Sequence, residues 1–205
     1  MVQKSKASPV VCAFNIQTGG DNEFSVIYSI GAIVGNILTG EIYQSFYERV
    51  EHKQPGRSLS DDVKDEWEKI KGQAAHREVF DPKIPRKDLT LVLKLFNRFV
   101  LDNSGEDNPV GGVVHLLSTQ SESQTSLLLH AMRQCNVEPS WQARYQDSLA
   151  TLDYTYRLVF SEDPMESNPF VGTKKHAKFE AKHVFKTAHV IMRRLNEKMD
   201  LSAIL

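Results

Sequence analysis

The 205-residue chain has only two cysteines, Cys12 and Cys135, well separated and in apolar or helical surroundings. That is too few for a disulfide framework or a cysteine-built zinc site, and it fits a reducing compartment. Long hydrophobic runs are missing as well. Nowhere do about 18 apolar residues follow one another, as a membrane-spanning helix requires. The first nine residues, with Lys4 and Lys6, lack the apolar core of a secretion signal. Net charge is nearly absent, with 25 Lys and Arg against 26 Asp and Glu. No overall field therefore draws the chain to nucleic acid or membrane, and any such affinity must come from a local patch. These absences predict a soluble, cytoplasmic protein. Hydrophobic residues at 40% and charged residues at 25% exclude disorder, collagen and coiled coil. The length suits a single domain over residues 10–199, flanked by a flexible tail at 1–9 and a second tail at 200–205.

Residues 10–17 (VVCAFNIQ) are apolar and β-branched enough for a strand, stopped by Thr18-Gly19-Gly20. Residues 24–34 and 41–50 read as two more strands, joined through the turn chemistry of Thr39-Gly40. Together they predict an antiparallel meander. Arg57 to Phe80 reads as one helix, because Val63, Trp67, Ile70 and Ala74 recur at steps of four, three and four, and Ser58 with Asp61 offers a capping box. After Pro82 and Pro85, Leu89 to Leu101 is strongly amphipathic. Gly111 to Leu117 is a short continuous apolar run, as in a buried parallel strand. Ser126 to Cys135 is helical, and Leu149 to Phe160 fits strand or helix equally. Lys174 to Met199 is a long helix with Ala177, Ala181, Val184, Ala188, Ile191 and Leu195 as its apolar stripe. The alternation predicts an α/β fold with a mixed sheet.

Two places carry polar groups where packing alone would not put them. Asn15 and Gln17 lie two apart on the first strand, so both amides point to one face just before a turn. Glu180 lies on the apolar stripe of the last helix, where a buried, unpaired carboxylate is costly. The same helix region concentrates positive charge: Lys174, Lys178, Lys182 and Lys186 recur every four residues, and Arg193 follows. A row at that spacing lies on one helix face. It reads either as a solvated surface or as a stripe for phosphates or an acidic protein.

The segment F-N-I-Q-T-G-G, followed by S-I-G-A-I-V and T-G-E-I, resembles the opening of the DnaQ-like (DEDD) 3′–5′ exonucleases, in particular the phage DexA-type branch. That family begins with an Asp-x-Glu-Thr-x-Gly strand end, an Ile-Gly-Ala strand and a Thr-Gly-Glu turn. Trp67 followed by Gln73-Ala74-Ala75-His76-Arg77 is similar to a later helix of that branch. E-P-S-W with R-Y-Q-D-S-L-A-T-L resembles its Pro-Trp … Asn-Gln-Arg-Asp-x-Arg-Thr region, and K-H-A-K-F-E-A resembles its final His-x-Ala-x-x-Asp-Ala helix. The resemblance runs in order from about residue 10 to 195. It implies an RNase H-like mixed sheet of about five strands flanked by helices.

It also implies two divalent metals held by four carboxylates, with a histidine as general base. Here the family positions are degenerate. The first Asp falls on Asn15, its Glu on Gln17, the middle Asp on Gln124, the last Asp on Glu180 and the histidine on Lys175. A further Asp falls on Ser148. Mg²⁺ and Mn²⁺ favour hard anionic oxygens, so three amides and an ammonium imply a noncatalytic domain with no metal and no cofactor. Such a domain would bind nucleic acid, as a single strand or a 3′ end, or an acidic protein. Lys174, Lys178, Lys182, Lys186 and Arg193 are its candidate contacts. The DexA likeness implies a phage source, placing the protein in the host cytoplasm or in a virion. A register shift of one or two residues gives an alternative, with Asp21, Glu23, Glu122, Asp147 and Asp153 as ligands and His176 or His183 as base. On that alternative the chain is an active Mg²⁺- or Mn²⁺-dependent 3′–5′ exonuclease.

Overall fold

The structure is a computed structural model and describes residues 9–103, 115–118, 123–141, 146–160, 164 and 168–199. Its centre is β1 (Val10–Thr18), buried along nearly its whole length. Burial on both faces explains why residues 10–14 show no alternation of apolar and polar side chains. β1 pairs antiparallel with β2 (Ile27–Asn36), and β2 pairs antiparallel with β3 (Ile42–Arg49), as the meander predicts. On its other edge β1 pairs in parallel with β4 (His115–Ser118), which pairs in parallel with β5 (Gln146–Ser148). The sheet order is β3-β2-β1-β4-β5. The expected mixed α/β sheet is observed, with five strands among the described residues.

Helices cover both faces. α3 (Leu89–Asp102) and α4 (Ser123–Gln134) pack on the face formed by Cys12, Phe14, Ile16, Ile30, Ala32 and Val34. α5 (Leu149–Phe160) and α6 (Ala177–Met199) pack on the opposite face, over Val11, Ala13 and Ile33. Every residue of the stripe from Ala177 to Leu195 is buried. α5 settles the ambiguous segment as helix, with Leu149 and Tyr156 buried. No helix of the described residues is long and apolar enough to cross a membrane.

The region after β3 corrects the sequence reading. Arg57 to Phe80 is two helices, α1 (Asp61–Lys69) and α2 (Ala74–Phe80), separated by a turn through Gly72 at φ +79°. The apolar spacing runs across this break because both short helices pack against one patch, where Trp67, Ala75 and Val79 meet Val26 and Tyr28. Ala74 is exposed and Ala75 is the buried one. The cap is Ser60, whose side chain accepts from the Val63 amide, and not Ser58. The long final helix begins at Ala177, three residues later than its charge pattern suggests.

One close approach sets the geometry of everything discussed below. A Cβ on Gly31 would lie 2.3 Å from the Lys178 nitrogen, 2.4 Å from the Ala177 carbonyl carbon and 2.6 Å from the Ala177 oxygen. The first turn of α6 therefore rests directly on the backbone of β2, and no side chain can yield to make room. We expect Gly31→Ala to cost at least about 1–3 kcal/mol, the usual cost of overpacking, in urea unfolding followed by circular dichroism.

Candidate functional site

Asn15 pairs with Gly31, and Gln17 pairs with Ser29, across the β1–β2 ladder. All four positions face α6. Because the helix comes so close at Gly31, its first turns bring Glu180 over the end of β1. Asn15 is 2% exposed and Gln17 9%, so both amides need internal partners. Gln17 Nε2 supplies them, donating to Asn15 Oδ1 at 3.0 Å and to Glu180 Oε2 at 2.9 Å. A carboxylate can only accept, so the group that faces it must be the NH₂ end of Gln17. The other carboxylate oxygen, Glu180 Oε1, accepts from the Lys175 backbone amide at 2.7 Å. Burial pushes the Glu180 carboxyl above its ordinary value, against the opposing pull of the Lys175 amide, Gln17 and the Lys175 charge.

Gln124 stands in the first turn of α4, at the other side of the same strand end. β4 pairs with β1 no further than Phe14, opposite Ser118. Beyond that point Gln124 Oε1 accepts from the Ile16 amide at 3.3 Å. The structure thus brings Asn15, Gln17 and Glu180 into one hydrogen-bonded group, with Gln124 fastened to the strand between them. Ser148 lies in β5, but its side chain and that of Asp147 are outside the described residues.

Lys175 contributes backbone, not side chain. It adopts φ +58°, an uncommon conformation for a residue with a Cβ, which leaves its amide bonded to Glu180. Its ammonium points away, to Glu66 Oε2 at 2.6 Å and 5.3 Å from the centre of the Trp67 ring. The lysine row is shorter than its spacing suggests. Lys174 lies in the turn before α6, so only Lys178, Lys182 and Lys186 share a helical face. Lys182 and Lys186 are exposed, and Arg193 lies 3.6 Å from Glu197.

Of the displaced-ligand positions, Asp21 is exposed in the turn beyond β1, where it lines a small pocket with Thr18 and Gln124, and Asp153 pairs with Arg157 at 2.8 Å. Glu122 lies outside the described residues. Among the described residues, no three His, Cys, Asp or Glu side chains form a group able to hold a metal ion. His176 stacks on Tyr47 with ring centres 4.5 Å apart, and its Nε2 is 3.6 Å from Glu78.

His176 belongs to a second polar cluster that sequence reasoning missed. Tyr47 donates to Glu78 Oε1 at 2.6 Å and Arg49 Nε to the same oxygen at 2.7 Å. Burial would raise the Glu78 carboxyl, but these donors and the Arg49 charge hold it below the ordinary range. Burial lowers His176, opposed by Glu78. Tyr47 and Arg49 stand two apart on β3, as Asn15 and Gln17 do on β1, which was the available signal. The register joins the two clusters directly, because Asn15, Gly31 and Tyr47 form one row and Gln17, Ser29 and Arg49 the next.

The raised Glu180 carboxyl has a consequence for stability. Its folded pKa lies above the unfolded value near 4.5, so ionisation opposes folding at neutral pH. That cost is relieved as pH falls through the folded pKa and is gone below about 4.5. Glu180→Gln should therefore be more stable than the parent at pH 7 and equal to it near pH 4, as read by urea unfolding across that range.

Comparison with known proteins agrees with this architecture. No curated protein matches the sequence. The chain is similar to a full-length 3′-exonuclease of solved structure (13% identity, TM-score 0.63), covering 94% of this chain and 62% of that one. It is similar to a 3′-exonuclease described in the 3′-end-specific recognition of histone mRNA stem-loop (14% identity, TM-score 0.61), over 95% and 84% of the two chains. It is also similar to E. coli exonuclease I in complex with a dT13 oligonucleotide (8% identity, TM-score 0.58), over 93% and 42%. The chain thus spans less than two thirds of the first and third of these proteins. The likenesses place the fold among the RNase H-like, DnaQ-like exonucleases. The family model of the 3′-5′ exoribonuclease Rv2179c-like domain matches residues 13–192, and the chain belongs to that family.

Proposed function

We propose that this exonuclease-like domain binds the 3′ region of single-stranded nucleic acid, RNA in the first instance, without cleaving it. The observation that carries the reading is the position of Gln17 Nε2. Asn15 Oδ1 and Glu180 Oε2 converge on it at 3.0 and 2.9 Å, as two oxygen ligands converge on a cation. A neutral NH₂ group thus takes the place between first strand and last helix that a dication would need. The surrounding donors do not fit a pair of Mg²⁺ or Mn²⁺ ions, which favour anionic oxygens. Asn15, Gln17 and Gln124 bring no charge, and the Glu180 carboxylate is already engaged on both oxygens.

Nucleic acid is favoured over an acidic protein by the family description and by relatives whose structures were solved for RNA stem-loop recognition or with an oligonucleotide. Neutral amides at the strand end also remove the repulsion that metal-free carboxylates would exert on phosphates. Lys178, Lys182 and Lys186 offer backbone contacts that carry no base preference.

Calorimetric titration with Mn²⁺ should show no tight binding, and labelled RNA incubated with Mn²⁺ should keep its 3′ end. Shortening from that end would overturn the reading and establish the active-enzyme alternative. Restoring Asn15→Asp, Gln17→Glu, Gln124→Asp, Glu180→Asp and Lys175→His together should create Mn²⁺ binding. Changing Lys178, Lys182 and Lys186 to Glu should abolish RNA retention. For the triple Ala variant, the slope of log affinity against log salt should fall by about two, at roughly 0.7 per lost contact to a single strand.

A further inference from the structure

The outer side of α6 carries a cavity of about 100 Å³ that plays no part in the strand-end site. It lies between the helix and the segment 168–172. Lys182, His183 and Lys186 line it from the helix, and Phe179 closes one end. The opposite wall is held in place at two points. Asn168 Nδ2 donates to the buried Thr187 Oγ1 at 2.8 Å, and the Phe179 ring lies against Gly172, where an added Cβ would come within 2.6 Å of the ring.

Among the described residues, the charge lining this cavity is of one sign. Lys182 and Lys186 are one helical turn apart, so both ammoniums reach the same opening. No carboxylate among the described residues pairs with either. Segment 168–172 (Asn-Pro-Phe-Val-Gly) contributes no titratable side chain. His183, between the two lysines, packs against the Phe170 ring at 5.2 Å and has its pKa lowered by burial and by Lys186. Two ammoniums with no acidic partner among the described residues and an imidazole whose charged form is disfavoured make this walled cavity suited to an anion. Lysines bind phosphate as point charges at close range.

We propose that the cavity between α6 and residues 168–172 seats a phosphate group, held by Lys182, Lys186 and His183. It belongs either to a phosphomonoester or to a phosphodiester of a bound strand. The second source rests on the nucleic-acid reading above; the first does not.

The test is an NMR pH titration of His183 in the full chain, at ionic strength held constant with chloride. Its three arms are inorganic phosphate, adenosine 5′-monophosphate and an oligoribonucleotide without terminal phosphates. A seated anion should raise the His183 pKa by about one unit, the low end of the effect of an opposite charge within 4–6 Å. The response should saturate, and it should be lost in Lys182→Ala/Lys186→Ala, whose side chains are exposed and whose removal spares the core. A response to the first two probes alone assigns the seat to phosphomonoesters. A response to the oligoribonucleotide assigns it to a strand. No response to any probe, or the same response in the double variant, overturns the proposal. RNA retention with an unresponsive His183 would sink the cavity alone. A phosphate response without RNA retention would sink the nucleic-acid reading alone.

Discussion

The amide of Gln17 hydrogen-bonds both to Asn15 on its own strand and to Glu180 on the last helix. That bridge is possible because Gly31 lets the first turn of α6 rest on the sheet. Strand end, helix start and the αL turn at Lys175 then form a single closed unit. Glu180 Oε2 accepts from Gln17 and Oε1 from the Lys175 amide. Hydrogen bonds to a charged acceptor are the stronger kind, and together they allow this carboxylate to remain half-buried. The cost persists as a raised carboxyl, so the arrangement tolerates the charge without exploiting it.

The amides matter because of what carboxylates would do at this spacing. Two carboxylates about 3 Å apart cannot both ionise, so a strand end built from Asp and Glu under another Glu is unstable unless cations fill it. Amides at two of these three positions give donor–acceptor pairs in place of that repulsion, and the first strand closes onto the last helix through them. Gln124 follows the same logic. A carboxylate there would accept from the Ile16 amide equally well, and the amide makes the same contact without adding charge.

Much of the scaffold was legible in the residues. β1 to β3, α3 and the stripe of α6 follow from apolar periodicity and from turn chemistry at Thr39-Gly40, where the physics is local. Asn15, Gln17 and Glu180 were identifiable as polar groups on buried faces, and the structure brings them together. What failed was non-local. The spacing from Val63 to Ala74 ran through a turn because two short helices share one hydrophobic patch, and period alone does not reveal where a backbone breaks. Ser58 and Ser60 are both capable caps, and the choice depends on where Gly19 accepts the Ser60 amide. The Tyr47–Arg49–Glu78–His176 cluster depends on α2 docking beside β3, about 30 residues away in sequence, so the spacing of Tyr47 and Arg49 marks a shared face but not its partners. The side chain of Lys175 turns outward because its backbone is committed to Glu180, which a sequence does not show.

The charge layout follows from the same packing. α6 must present small residues, Ala177 and Ala181, to the sheet to approach it at all, and its buried stripe leaves the flanks as the only place for cations. On one flank, Arg49, Tyr47 and Glu78 enclose His176 and cancel most of the local field. On the other, Lys182 and Lys186 meet no acid among the described residues. Among the described residues, positive charge thus gathers on one side of α6, near a strand end lined by the neutral amides of Asn15 and Gln17. Neutralising the site and leaving those lysines unopposed change the electrostatics in the same direction. Both make this end of the molecule more favourable to an approaching phosphate, and neither requires a metal to do so.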